Sequence, residues 1–268
     1  MAVELKPGVR YDMPAAFGPS AAISVTSGYT VLSAAIPFVT EHDAVADLLP
    51  RWFRPTARPV VTVNYQRCLG MDWMGGRDYN IVSVYVAVES VGIDPPVSAP
   101  YGLVIWESDA APVVSGREYM GTPKLHAKIP DVEMPAASAE FHCAEYEARL
   151  MTGRIEKMER VVDPDELATF QRAGESICRL HWKYIPGLRG AEPDADYPVA
   201  MYTSARYTEF WRGEGEFELG APGLDEAPYS AKIVAALAAL PVVGMRPAVA
   251  AKAVDVQLYR DRTERIDR

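Results

Sequence analysis

The chain has little that would mark an extracellular, membrane or nucleic-acid-binding protein. Cysteine is scarce: Cys68, Cys143 and Cys178 are odd in number, far apart and without CxxC spacing, which argues against a disulfide framework and leads us to expect reduced core thiols. Long apolar runs are missing too. The longest, Ile233 to Met245, is broken by Pro241 and falls short of the roughly 20 residues a membrane helix requires. Behind Met1-Ala2-Val3-Glu4-Leu5-Lys6-Pro7 there is no apolar stretch following a basic start, so no secretion signal is read and a cytoplasmic location is expected. Basic charge is in deficit, 27 Lys plus Arg against 36 Asp plus Glu, and the resulting −9 disfavours a nucleic-acid partner. His42, His126, His142 and His181 form no HExxH pair, and no GxSxG elbow is present, so neither a metal nor a cofactor is expected.

What is present is ordinary globular material, 49% hydrophobic and 24% charged over 268 residues, enough for a single domain across 1–268. Segments rich in β-branched and aromatic residues recur at 29–38, 59–66, 81–88, 103–106, 113–115, 199–210 and 251–259, most of them bounded by Gly, Pro, Asp or Asn. In 59–66, alternation puts Val61, Val63 and Tyr65 on one face and Thr62, Asn64 and Gln66 on the other. That polar face is either solvated or the wall of a pocket. Helices are few. One is expected at 42–49, one from the Asp163-Pro164-Asp165-Glu166 capping sequence towards Leu180, and an Ala-rich one at 227–240 ended by Pro241. The stretch 186–197 reads as the longest loop.

One motif carries chemistry. Gly116-Arg117-Glu118-Tyr119-Met120-Gly121-Thr122-Pro123-Lys124 has two glycines at the spacing of a phosphate loop, but Thr-Pro stands where Lys-Ser/Thr should follow. Pro123 disfavours a helix starting at Thr122 and puts Lys124 on an extended or turning segment. That is an odd place for a merely solvated lysine, but on spacing alone it reads as surface decoration, because lysine is mostly exposed.

Gly-Arg-Glu followed by Pro-Lys resembles the signature of the acetoacetate decarboxylase superfamily. The likeness extends from about residue 28 to 260: Trp106-Glu107-Ser108-Asp109 and Ala111-Pro112-Val113 precede the signature, and Ile177-Cys178-Arg179, Lys183-Tyr184-Ile185-Pro186, Glu209-Phe210-Trp211-Arg212-Gly213 and Leu240-Pro241-Val242 follow in order. The resemblance implies a β-rich α+β fold, an antiparallel sheet forming a cone or closed barrel with a few peripheral helices, assembled as a homo-oligomer. It also implies that Lys124 forms an imine with a ketone. A neutral amine attacks the carbonyl, water leaves, and the protonated imine stabilises a carbanion on the next carbon; acetoacetate decarboxylase is itself the standard example of a lysine activated for this chemistry. Only about one ordinary lysine in two thousand is neutral at pH 7, so the site must favour the neutral form.

The sequence departs from the decarboxylase at four places. Leu125 stands where a second lysine follows the first, which leaves burial to favour the neutral amine. Asn64 and Ile81 stand where the resemblance expects glutamates, and no Arg or Lys occurs from Tyr11 through Pro50 to match an N-terminal arginine. The expected activity is therefore aldol condensation and dehydration of a pyruvate-like oxo acid with an aldehyde, with decarboxylation of a 3-oxo acid as the alternative and non-catalytic oxo-acid binding as a second. Lys124 is the expected nucleophile. Supporting or substrate-binding candidates are Asn64 and Gln66 on the polar strand face, Tyr79 and Trp106 as pocket walls, Arg117 and Glu118 from the signature, and His126 as a proton relay. Arg77 is considered as a replacement carboxylate clamp.

Overall fold

The structure, a computed structural model, describes residues 4–20, 25–134 and 138–268. Strands dominate: β1 (Val25–Val39), β2 (Phe53–Pro55), β3 (Val60–Met71), β4 (Arg77–Ser90), β5 (Ser98–Glu107), β6 (Lys124–His126), β7 (Ala139–Glu145), β8 (Ala148–Arg160), β9 (Ile177–Ile185), β10 (Ala195–Leu219), β11 (Gly244–Met245) and β12 (Ala248–Arg265). The helices are α1 (His42–Ala46), α2 (Ala110–Ser115), α3 (Pro164–Glu175) and α4 (Ala231–Ala238). All the strands join one sheet, whose main path runs β11-β1-β3-β4-β5-β9-β10-β8-β7. Because β12 pairs with both β1 and β10, the strands β1, β3, β4, β5, β9, β10 and β12 form a ring. The pairing is antiparallel except where β5 meets β6 and β9, and the β5 to β9 join is a single pair, Tyr101 opposite Leu180.

Alternation along each strand sorts its side chains between two environments. One face feeds the main core: Ile36 of β1, Val61, Val63 and Tyr65 of β3, Val84 of β4 and Trp106 of β5 all belong to it. The hairpin of β7 and β8 adds Phe141, Leu150 and Ile155, and α4 adds Ala231, Val234 and Leu237. Each fully buried large apolar side chain contributes about 1.5–3 kcal/mol, so this face supplies most of the cohesion. The opposite face turns Tyr29, Val31, Cys68, Ile81, Ile105 and Val256 into a second cluster inside the ring. Side chains from the same face line a cavity there.

The expected elements are found with some changes. The capping sequence before α3 works as read: Asp163 Oδ1 accepts from the backbone N–H of Asp165 at 2.9 Å and of Glu166 at 3.0 Å. The helix ends at Glu175, because Ser176 is extended (φ −151°, ψ 105°) and 177–180 pair with β10 as the start of β9. Residues 113–115 are helical, not a strand. Asp109 caps α2 through Ala111 N–H at 2.8 Å, and Pro112 sits in the first turn, where its missing N–H costs nothing. The expected loop 186–197 is shortened by a 3₁₀ turn at Leu188–Gly190 and by β10 starting at Ala195. No helix among the described residues is long and apolar enough to cross a membrane.

Candidate active site

The segment that carries Lys124 is held at both ends. After α2 the chain widens into a π-helical turn, Gly116–Met120, which Gly121 ends in the left-handed region (φ 68°). The Thr122 N–H then donates back to the Gly116 carbonyl at 3.1 Å. Pro123 keeps the following backbone extended, its carbonyl accepts from Ile105 N–H at 3.0 Å, and β6 forms beside β5 with Lys124 opposite Ile105. The Arg117 guanidinium donates to the Lys124 carbonyl at 2.9 Å, and Arg260 donates to Ser115 Oγ at 3.1 Å, so the turn is pinned from outside and inside. Gly116 is required by space: a Cβ there would stand 2.5 Å from Lys124 Cδ and 2.7 Å from Cε. The lysine stem runs directly over this glycine.

The stem leads into the ring, where a cavity of about 120 Å³ opens. Lys124 is only 9% exposed, and its Nζ lies 2.7 Å from Glu107 Oε1 and 3.2 Å from the Pro112 carbonyl it donates to. Glu107 is completely buried, and its Oε2 has no hydrogen-bond partner among the described residues. Burial pushes the Glu107 carboxyl above the usual carboxylate range, with Lys124 beside it pulling the other way.

Arg179 from β9 lines the same cavity. It donates to Thr203 Oγ1 at 3.0 Å and lies 5.7 Å from the Tyr85 ring centroid, and it has no carboxylate partner among the described residues. Around these charges stand Tyr29, Tyr79, Tyr85 and Tyr207, each with its hydroxyl pushed up, chiefly by burial. Cys68 is pushed up to about 12 for the same reason. Behind the wall, His181 is fully buried and pulled down to about 3, by burial first and by the Arg179 and Lys124 charges after it, so its ring is neutral. Among the described residues no group of three or more His, Cys, Asp or Glu stands at metal-binding geometry.

Of the residues expected at the site, Lys124, Gln66 and Tyr79 line the cavity. Asn64 shares the polar face of β3 with Gln66 but lies outside the cavity wall, its amide donating to the Thr62 carbonyl at 3.1 Å. Trp106 points the other way. It is fully buried in the main core and donates to Ser230 Oγ at 3.0 Å, because the pleat that sends Ile105 and Glu107 inward sends it outward. Arg117 and His126 are exposed and line an outer groove that Lys124 also borders, Glu118 lies outside both hollows, and Arg77 is exposed at the start of β4, donating to the Met74 carbonyl. Glu107 and Arg179, which the cavity brings together with Lys124, do not stand out in the sequence. Both lie in segments that carry the family resemblance, Trp106-Glu107-Ser108-Asp109 and Ile177-Cys178-Arg179, but nothing in those segments assigns either residue a role.

The sequence matches the acetoacetate decarboxylase (ADC) family over residues 12–246. The chain belongs to that family. No curated protein matches it. Among solved structures it is similar to an acetoacetate decarboxylase from Legionella pneumophila, at 18% identity and TM-score 0.66 over 90% of this chain and 89% of that one. It is also similar to a second acetoacetate decarboxylase, at 16% identity and TM-score 0.71 over 95% of this chain and 94% of that one. A third is the enduracididine biosynthesis enzyme MppR complexed with the condensation product of pyruvate and imidazole 4-carboxaldehyde, at 15% identity and TM-score 0.66 over 96% of each chain. At these identities the likeness is one of fold. Within this ADC-family cavity, Ile81 lines the wall where the resemblance expected a glutamate, and β1 brings Tyr29, Val31 and Ser33, with no arginine.

Proposed function

We propose that Lys124 forms an imine with the keto carbon of a small pyruvate-like 2-oxo acid, that Arg179 holds the acid's carboxylate, and that the derived enamine adds to an aldehyde before losing water. One observation carries this reading: a buried lysine amine and a guanidinium without a carboxylate partner among the described residues open on the same small cavity. A lysine amine desolvated by burial can act as the nucleophile, and a planar guanidinium suits a carboxylate. Condensation needs only a proton removed from the methyl carbon next to the imine, whereas decarboxylation needs a carboxylate one carbon beyond the ketone. MppR, on the same fold, holds pyruvate in one structure and its aldehyde condensation product in another, which supports this substrate class. The description of the matched family supports a second reading, decarboxylation of a 3-oxo acid on the same lysine.

The test is turnover. Protein incubated with pyruvate and imidazole 4-carboxaldehyde should produce the conjugated 2-oxo acid, seen by absorbance and mass, and Lys124→Ala should abolish it. Acetone release from acetoacetate without any condensation across an aldehyde panel would favour the second reading. Neither reaction, in folded protein, would overturn both.

A further inference from the structure

We propose that Glu107 is the acid–base residue of this site, removing the proton from the methyl carbon beside the imine on Lys124 and delivering it to the aldehyde oxygen. The inference rests on the reading of Lys124 as the imine-forming nucleophile and adds the group that moves the protons.

Glu107 is within reach of the reacting carbon. Its Oε1 stands 2.7 Å from Nζ. In an imine the methyl carbon is two bonds from Nζ, roughly 2.4 Å away by ordinary bond lengths, so a carboxylate touching Nζ also reaches that carbon's hydrogens. Oε2 is buried and unpartnered among the described residues, which leaves its lone pairs free to take a proton. The residue is also held in place by its backbone. Ala127 N–H donates to the Glu107 carbonyl at 2.9 Å, and the next residue, Ser108, donates its N–H to the Asn80 carbonyl at 2.9 Å.

No other group in the cavity suits the role as well. Glu107 is the one carboxylate among the described residues lining the cavity, and no histidine stands among them. The tyrosines and Cys68 are pushed up by burial and keep their protons at neutral pH, so they can donate hydrogen bonds but not act as bases. Gln66, Ser33, Thr122 and Thr203 do not titrate in water. The Glu107 carboxyl, raised above the usual carboxylate range, is better matched to accepting and returning a proton than an ordinary exposed glutamate.

The steps balance. The Glu107 carboxylate takes a methyl proton from the protonated imine, the C–H electrons form the C=C bond, and the C=N electrons settle on Nζ as a neutral enamine. The enamine carbon bonds to the aldehyde carbon, the aldehyde oxygen takes the proton from the Glu107 acid, and the protonated imine is restored. A second proton passes from the same carbon to Glu107. The new hydroxyl then leaves with it as water, and hydrolysis of the conjugated imine frees Lys124.

Exchange of the pyruvate methyl hydrogens in D2O, followed by proton NMR, reads the first step without an aldehyde, and borohydride trapping with intact mass reads imine formation separately. Wild-type protein should do both and Lys124→Ala neither. Glu107→Gln should still be trapped on Lys124, while methyl exchange falls about 100-fold or more, the range for a lost general base. Glu107→Asp, which keeps the charge but draws it back by one methylene, should be trapped equally well and exchange at an intermediate rate; it carries the same test if the glutamine variant does not fold. Wild-type exchange in a Glu107 variant that is trapped normally would overturn the proposal and leave the lysine reading standing. Loss of trapping along with exchange in a folded variant would also overturn it, placing Glu107 in imine formation instead. No trapping in wild-type protein would remove the lysine reading and this inference together.

Discussion

Replacing Gly116 with alanine isolates the geometry that aims the lysine. The added Cβ would stand 2.5 Å from both Lys124 Cδ and Thr122 Oγ1 and 2.7 Å from Lys124 Cε, where carbon–carbon contacts normally settle at about 3.5–4.0 Å. All three obstructing atoms belong to side chains, and the lysine stem can swing aside, so the stability cost should lie low in the roughly 1–3 kcal/mol range of overpacked sites. At about 2–4 °C per kcal/mol for a chain near this size, that is a fall in Tm of a few degrees. The chemical cost should be much larger. The stem must retreat by about 1 Å, Nζ then leaves its place beside Glu107, and a 1 Å misplacement costs on the order of 100-fold in rate. The assay pairs a thermal melt with the rate of borohydride trapping by pyruvate. Gly244→Ala is the control, because nothing lies within 4 Å of its new Cβ and its φ is not in the left-handed region. A Gly116→Ala protein that traps pyruvate at the wild-type rate would refute the claim that the stem's path over Gly116 positions Nζ.

Three other perturbations have defined outcomes. Arg179→Ala should raise KM for the oxo acid about 10- to 150-fold with kcat nearly unchanged, since a charge-assisted hydrogen bond to carboxylate is worth about 1.5–3 kcal/mol; an unmoved KM would remove Arg179 as the anchor. Trp106→Phe leaves the buried Ser230 hydroxyl without its partner and should cost about 1–3 kcal/mol in a denaturant melt, yet leave trapping intact because the ring faces the core and not the cavity. Asp196 is held below the usual carboxylate range chiefly by the hydrogen bond from Trp182 at 2.8 Å; burial opposes this next, and Trp52 and Arg51 add to the lowering. A lowered folded-state value means stability that is present above the unfolded value, near 3.9, and lost as pH falls below it. The destabilisation by Asp196→Asn should therefore be full at pH 7 and shrink below about pH 4, and a pH-independent difference in Tm would contradict this assignment.

The legible parts of the fold and site were those written in local sequence. The alternation of 59–66 told correctly which side of β3 meets the core, and Thr122-Pro123 told that Lys124 is not helical. The segment 113–115 looked like a strand because valine favours sheets, but the Asp109 cap and Pro112 in the first turn outweighed that preference. The hairpin of β7 and β8 is hidden in the sequence for a related reason. Its inward residues Phe141, Cys143, Met151 and Ile155 alternate with small, charged and polar ones, which dilutes any β-rich composition. Glu107 and Arg179 lie in segments that carry the resemblance, but local sequence assigns neither a role in the site. Each is an ordinary charge in a strand until the ring brings β5, β6 and β9 around one cavity, and the Glu107 to Lys124 contact depends on parallel pairing between segments that sequence alone does not register.

The central claim is that Lys124 is a nucleophile towards a small oxo acid, and reductive trapping tests it most directly. Borohydride added to protein and pyruvate, followed by intact mass and peptide mapping, should give one covalent increment on the peptide that contains Lys124 and none in the Lys124→Ala protein. Folded wild-type protein that takes up no label from pyruvate or acetoacetate, or that takes up label equally after Lys124 is replaced, would contradict the account.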